Sequence, residues 1–257
     1  DQLSAFIMID ETKEGLKDAL DGAKAFMLAT EEVVSASELP FWDTHSLDMQ
    51  RFFNLVCWAY GENPSEREFL VTDGQLPEER AVRCPGEYAQ IEHAWLTLLA
   101  PYIIGNDWPD RPDGLLQEPI EARGEFKVNY RKPSSPELQA AFELVSTDNA
   151  FGEVVKSLNE TFALPRNVRI IFQECGMVNA YYDPQWHSLN VCYELIDSFE
   201  KAFKAKAENP DDDEAITNHV LNTLMFVFFH EMGHGLIDLY NLPVTGNEED
   251  AVDQLER

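Results

Sequence analysis

The most constraining feature of the sequence is a long apolar segment that carries two histidines four residues apart. The segment follows the acidic loop at 209–214 and is predicted to form one helix ending at Tyr240, because an asparagine and a proline follow within three residues. His230 and His234 stand at positions i and i+4 and therefore project from one helical face. Residues 224–229 are all apolar, which predicts a buried helix in which two unpaired histidines would be costly.

The two histidines enclose Glu231, so that residues 230–234 form an HExxH pattern. Imidazoles on one helical face can bind a single Zn²⁺ ion, and Glu231, one residue further round, can reach a metal-bound water. Zinc lowers the pKa of such a water to about 7, and the carboxylate can take its proton as the water attacks a carbonyl. We therefore predict His230 and His234 as metal ligands and Glu231 as the catalytic base. The alternative is that both histidines are core residues whose ring nitrogens are hydrogen-bonded within the protein and bind no metal.

A catalytic zinc needs a third protein ligand and an open position for water. Glu249 and Asp253 follow at i and i+4 on the next predicted helix, for which Asn247 is a plausible N-cap. We predict that Glu249 binds the metal and that Asp253 holds the second ring nitrogen of a ligand histidine. Glu248 is the main rival for the ligand role, and a merely acidic first helical turn is the alternative for the whole cluster.

The chain is strongly acidic, with 47 acidic against 19 basic residues and a formal charge of −28. This balance argues against nucleic acid and against anionic membrane surfaces, because both require clusters of lysine and arginine. The longest apolar run, near 224–229, is far shorter than a membrane span, so no membrane span is expected. The expected partner is a peptide or protein substrate.

Periodicity predicts a mainly helical α+β domain with a small mixed sheet. Its HExxH helix resembles that of zincin-like metallopeptidases, which implies the same type of fold. Helices are predicted at 11–35, 46–60, 86–103, 136–147, 149–161 and 193–205, in addition to the histidine helix. Strands are predicted at 168–172, 178–182 and 188–192, while 104–135 is interpreted as loop or linker because it is rich in Pro, Gly and Asp. The expected division is a helical half at 1–103, a linker or a join between permuted halves at 104–124, and a zinc-binding half at 125–257.

Four cysteines are present, and none forms a CxxC pair. The economical pairing is Cys57–Cys84 with Cys175–Cys192, because each closes a modest loop. Two disulfides predict a periplasmic or secreted protein, whereas buried free thiols in a cytoplasmic protein are the alternative.

HExxH followed by ExxxD resembles the gluzincin group of metallopeptidases, to which thermolysin-like enzymes belong. The resemblance implies that Glu249 is the third ligand and that Asp253 supports a histidine. The segment Asn179-Ala180-Tyr181-Tyr182 is similar to the edge strand with which thermolysin-like enzymes hold the substrate backbone, which implies substrate binding by Asn179, Ala180 and Tyr181.

A closer resemblance covers 164–197 and 230–255, which are similar to a bacterial family of putative metallopeptidases of unknown function. Residues 41–61 and 76–102 resemble the part of that family that follows the zinc helix, yet here they precede it. The tripeptide Asp-Gln-Leu also occurs near both ends of the sequence. We expect a circular permutation, or an excerpt of two tandem units, with Asp1 close to Asp253 and a site closed by one chain or shared in a swapped dimer.

If the family's order is restored, His45 and Arg51 occupy positions comparable to the histidine and arginine that stabilise the oxyanion and hold the substrate carbonyl. A helix cap and a surface salt bridge are the alternative roles for these two residues. Other candidate donors to the transition state are His187, Tyr181, Tyr182 and Tyr193.

The function that these patterns predict is zinc-dependent hydrolysis of peptide bonds by a metal-activated water. The alternative is a non-catalytic binding or regulatory protein that keeps zinc for stability, because an active and a retired site can share every ligand.

Overall fold

The structure is a computed structural model that describes residues 48–104, 121–147, 150–207 and 209–255, together with residues 16, 20 and 24. The predicted helix at 11–35 lies outside the described residues except for Leu16, Leu20 and Lys24, which are helical. His45 and Asp1 also lie outside them, so their expected positions stay predictions.

The first part of the described chain is a cluster of helices. Their bounds are Asp48–Glu62 (α1), Phe69–Thr72 (α2), Glu78–Ala81 (α3) and Cys84–Leu99 (α4), followed by a 3₁₀ turn at Ala100–Tyr102. Phe52, Val56 and Leu70 are fully buried in the small apolar core that these helices share. The predicted helices at 46–60 and 86–103 correspond to α1 and α4.

The sheet has four strands in the order β1-β2-β4-β3. Their bounds are Phe126–Tyr130 (β1), Val168–Gln173 (β2), Ala180–Asp183 (β3) and Ser188–Cys192 (β4). β1, β2 and β4 run parallel, and β3 pairs antiparallel with β4, so the sheet is mixed as predicted. β3 is an edge strand.

Strand β1 corrects the prediction that 104–135 is entirely loop or linker. Its five residues alternate in burial, with Phe126 buried and Lys127 exposed. The strand lies between Gly124 and a Lys-Pro pair, and this short alternation was obscured by the flanking Pro, Gly and Asp residues. Pairing with β2, which lies some forty residues further along the chain, stabilises it.

The remaining helices cover and cross this sheet. They are a 3₁₀ turn at Pro136–Leu138, then Gln139–Ser146 (α5), Ala150–Thr161 (α6), Tyr193–Lys206 (α7), Asp213–Tyr240 (α8) and Glu248–Leu255 (α9). α8 packs against β3, β4, α7 and α9 and lies at the centre of the larger apolar core. The predicted mainly helical α+β domain with a small sheet is confirmed.

Local interactions explain where α8 begins and where it ends. The carboxylate of Asp212 accepts a hydrogen bond of 3.1 Å from the N–H of Ala215, which satisfies a free donor of the first turn. At the other end Asn241 adopts a left-handed conformation with φ 51°, as is common for the residue that ends a helix. The histidine helix therefore begins and ends close to its predicted bounds.

By length and composition α8 could also cross a membrane, with a mean hydropathy of 1.2 over its most apolar 18-residue window. This corrects the expectation that no segment reaches the length of a span. Because 61% of that window is buried inside the protein, the apolar composition of α8 is accounted for by the core that surrounds it.

All four cysteines are paired, and the pairs are those predicted. Cys57–Cys84 joins α1 to the start of α4, with the Cα atoms 5.1 Å apart. Cys175–Cys192 joins the loop before β3 to the end of β4, with the Cα atoms 5.4 Å apart. Two disulfides are typical of proteins that fold in an oxidising extracellular or periplasmic environment.

We predict that removing either disulfide lowers the free energy of unfolding by about 3 kcal/mol, because loops of 27 and 17 residues regain their freedom in the unfolded chain. The double variants Cys57→Ser/Cys84→Ser and Cys175→Ser/Cys192→Ser can be compared with the parent by urea denaturation. A cost below about 0.5 kcal/mol for either pair, well under the usual range, would contradict the prediction.

Candidate metal centre

Three donor groups from α8 and α9 meet at one point. Oε2 of Glu249 lies 3.1 Å from Nε2 of His230 and 3.4 Å from Nε2 of His234. One ligand atom from each of these residues lies within 4.8 Å of the other two. Two imidazole nitrogens and a carboxylate oxygen are a donor set that zinc accepts, and their convergence fits a single ion. The predicted ligands are thus brought together by the fold.

The other ring nitrogen of His230 is held by Asp253. Nδ1 of His230 lies 3.0 Å from Oδ1 of Asp253, and the aspartate side chain is only 7% exposed. Arg51 of α1 donates to the same carboxylate through Nε at 2.8 Å and Nη2 at 2.6 Å. A bidentate pair of this kind fixes the orientation of Asp253, and through it the orientation of the ring.

Glu248 and Glu249 contact different nitrogens of His234. Oε1 of Glu248 lies 2.7 Å from Nδ1, whereas Glu249 faces Nε2. Asn247 caps the helix through its side chain, which accepts from the N–H of Glu249 at 3.3 Å. The arrangement places Glu249 among the donors and gives Glu248 the same relation to His234 that Asp253 has to His230.

Glu231 lies beside the donors and is half-buried. Its Oε2 accepts a hydrogen bond of 2.8 Å from the backbone N–H of Tyr182 in β3. Burial raises the pKa of Glu231, and the neighbouring histidines and this N–H offset only part of the rise. A carboxylate with a raised pKa accepts a proton more readily, as a general base must.

The carboxylates also set the charge of their partners. Burial would raise the pKa of Asp253, but the hydrogen bonds from His230 and Arg51 outweigh burial and lower it, so that Asp253 stays ionised. Burial would lower the pKa of His234, but Glu249 and Glu248 outweigh burial and raise it. The two imidazoles are therefore surrounded by the carboxylates of Glu248, Glu249 and Asp253.

The segment predicted to bind substrate leads into and forms β3, which is the edge of the sheet in the described part of the chain and lies beside Glu231. The carbonyl of Asn179 accepts from the N–H of Cys192 at 3.1 Å, which directs Asn179 toward β4. Backbone direction alternates along a strand, so Ala180 and Tyr182 direct their N–H and C=O groups away from β4. The bond from the N–H of Tyr182 to Glu231 agrees with this alternation.

The other predicted donors are placed differently. Arg51 contacts Asp253, and His187 lies 3.1 Å from the hydroxyl of Tyr182 through Nδ1. Tyr193 is fully buried, and its hydroxyl donates to the carbonyl of Phe172, which excludes it as a donor at this site.

Two contributors to the site surroundings were missed by the sequence analysis. A Cβ added to Gly235 would lie 3.2 Å from Cε2 of Tyr182, so the absent side chain allows the tyrosine ring to pack on α8. Asp238 accepts a hydrogen bond of 2.8 Å from the hydroxyl of Tyr182. Their spacing of four and seven residues from Glu231 on one helix is the signal that could have indicated both.

A second group of candidate donors among the described residues is Cys175, Cys192 and Glu194. The two sulfur atoms are joined to each other, so they cannot serve as thiolate ligands in this state. Glu194 instead accepts hydrogen bonds from the N–H groups of Cys175 and Gly176 and fastens the loop before β3.

The chain belongs to the family described as "Putative metallopeptidase", whose model matches residues 1–99 and 130–256. The predicted family is thereby confirmed, and the family implies a metal. No curated protein and no solved structure matches this chain.

We predict that Glu249→Ala removes the bound metal, while Glu248→Ala weakens metal affinity by about 10- to 100-fold, the usual effect of losing a group that orients a ligand histidine. Elemental analysis of protein purified without added metal, followed by chelator competition, measures both. Full metal affinity in Glu249→Ala together with complete loss in Glu248→Ala would reverse the assignment of the two residues.

Proposed function

We propose that the protein is a zinc-dependent peptidase in which His230, His234 and Glu249 hold the metal and Glu231 is the general base. The observation that carries the proposal is the convergence of both Nε2 atoms on Oε2 of Glu249, with the carboxylate of Glu231 next to it and an edge strand alongside. The gluzincin-type order of ligands, HExxH then ExxxD, supports the same conclusion.

Zinc is the metal that this donor set favours, because two imidazoles and one carboxylate leave a fourth position open. When bound there, Zn²⁺ would polarise a carbonyl and lower the pKa of a coordinated water. The protein's contribution is to keep both Nδ1 atoms engaged by Asp253 and Glu248, which leaves the Nε2 atoms to face the metal.

Glu231 would take the proton of the attacking water and deliver it to the leaving amine. Burial raises the pKa of Glu231, which makes its carboxylate a stronger proton acceptor. The N–H of Tyr182 fixes one carboxylate oxygen, so the second oxygen can be turned toward the reacting water.

An extended peptide is the substrate that the open edge of β3 favours. The outward N–H and C=O groups of Ala180 can pair with a peptide backbone by strand addition, with Asn179 and Tyr181 flanking it. The formal charge of −28 would favour neutral or cationic peptides over acidic ones.

Arg51 would act through Asp253. The guanidinium and the aspartate side chain are 15% and 7% exposed, so the pair is well shielded from solvent and orients His230. Binding of the substrate carbonyl by Arg51 and stabilisation of the oxyanion by His45 stay predictions.

We also propose that the two halves of the family occur here in permuted order and that the protein is secreted or periplasmic. The resemblance of 41–61 and 76–102 to the part of the family that follows the zinc helix supports the first statement, and the two disulfides support the second. Arg51 and Asp253 meet within one chain in the structure, so a swapped dimer is not required to close this contact. The mass in solution, measured by light scattering, would test the swapped dimer.

We predict that Glu231→Gln keeps its zinc but loses peptide cleavage by a factor of at least about 100, because the base is removed and the ligands are not. Cleavage of a mixed peptide library, read by mass spectrometry, measures the effect beside zinc content. Glu214→Gln, the same change on an exposed first-turn residue of α8, is the matched control and should cleave like the parent.

Equal cleavage by the parent and Glu231→Gln would contradict the assignment of Glu231 as the base and would favour the non-catalytic alternative. No cleavage by zinc-loaded parent protein would likewise favour the non-catalytic, zinc-containing binding protein.

A further inference from the structure

Tyr182 lies across one face of the histidine helix and contacts it at three levels. Its backbone N–H donates to Glu231 at 2.8 Å, and its ring packs where a Cβ on Gly235 would lie, 3.2 Å from Cε2. Its hydroxyl donates to Oδ2 of Asp238 at 2.8 Å. Because Glu231, Gly235 and Asp238 are spaced by four and three residues, the three contacts follow a single stripe of α8.

His187 and Arg166 complete this network. Nδ1 of His187 lies 3.1 Å from the hydroxyl of Tyr182 and 3.2 Å from Oδ2 of Asp238, while Nη1 of Arg166 lies 2.9 Å from Nε2. A guanidinium can only donate, so Nε2 accepts and the ring proton is assigned to Nδ1, where it faces Asp238. Donors and acceptors then match, with Asp238 accepting from both Tyr182 and His187.

The backbone of His187 supports the same geometry. Its φ of 44° is in the left-handed region, and it ends the turn between β3 and β4. This conformation is uncommon for a residue other than glycine. With this conformation the ring of His187 contacts Asp238, and this contact joins the turn to α8.

We propose that Tyr182 is a positioning residue of the peptidase site. Its hydroxyl, held by Asp238 and His187, anchors strand β3 to α8 and so keeps the N–H of the same residue on the carboxylate of Glu231. The inference rests on the proposed function for its effect on catalysis. As a consequence, strand β3, which would pair with the peptide, and Glu231, which would act as the base, keep a fixed position relative to each other.

Tyr182→Phe tests this directly, because it removes the hydroxyl and leaves the ring on Gly235. We expect zinc content and melting temperature close to those of the parent, and kcat lowered about tenfold, the factor that a lost hydrogen bond to a charged group typically represents, with a smaller change in KM. Hydrogen–deuterium exchange of the amide at position 182 should become faster by a similar factor, while the amides of α8 stay protected.

Variants of Asp238 test the same hydrogen bond by changing its acceptor on α8. Asp238→Asn retains an oxygen that can accept from the hydroxyl and should keep most of the activity, whereas Asp238→Ala should behave like Tyr182→Phe. Combining Asp238→Ala with Tyr182→Phe should add little to either change alone, since both remove one shared interaction. Tyr60→Phe is the matched control, because Tyr60 also donates its hydroxyl to a carboxylate, that of Glu68, on the exposed surface of the helical cluster.

Unchanged kcat and unchanged amide exchange in Tyr182→Phe would overturn the proposal. So would a loss of zinc and of melting temperature in step with the loss of activity, because Tyr182 would then stabilise the fold rather than position the base. If the parent cleaves no peptide, the proposed function fails, but amide exchange in Tyr182→Phe still decides whether the hydroxyl anchors β3.

Discussion

The site depends on how the ring nitrogens of two histidines are satisfied on a helix that passes through the core. Each of the four nitrogens has a carboxylate partner, and all the partners come from the eight-residue helix α9. Burying an imidazole without such partners would be costly, so the position of α9 and the orientation of both rings are determined together. The capping side chain of Asn247 stabilises the start of α9 and so contributes to the position of these carboxylates.

Placing three carboxylates of one short helix around the imidazoles requires compensation, and Arg51 supplies part of it. The guanidinium comes from α1, 202 positions away in sequence from Asp253. The same helix carries Cys57, whose disulfide fastens α1 to α4. The helical cluster at the start of the described chain thus contacts the candidate metal centre through the partly buried ion pair of Arg51 with Asp253.

The sequence was sufficient to predict the parts of the fold and site that follow from local spacing. HExxH places His230 and His234 on one helical face, and the loop lengths between cysteines favoured the observed pairing. Strand β1 could not be identified locally, because five alternating residues acquire their structure from pairing with β2.

Which of Glu248 and Glu249 faces the Nε2 atoms likewise depends on the packing of the two helices and not on the local sequence. Adjacent helical residues point about 100° apart, and only the packing of α9 on α8 decides which faces Nε2. The roles of Gly235 and Asp238 were missed for a related reason. Both residues act through their contacts with Tyr182, which lies on a strand roughly fifty residues earlier in the chain.

An open sheet edge is a hazard for a protein, because its unpaired N–H and C=O groups can pair with the edge of another molecule. β3 limits the hazard by being four residues long and by directing the N–H of Tyr182 to Glu231. A peptide that adds to this edge must therefore pair around a group that is already bonded to the base. In the proposed peptidase, the position of Glu231 would help to fix the register in which a peptide pairs with the outward groups of Ala180. The same contact that protects the edge from unspecific pairing can in this way select where an extended substrate is presented.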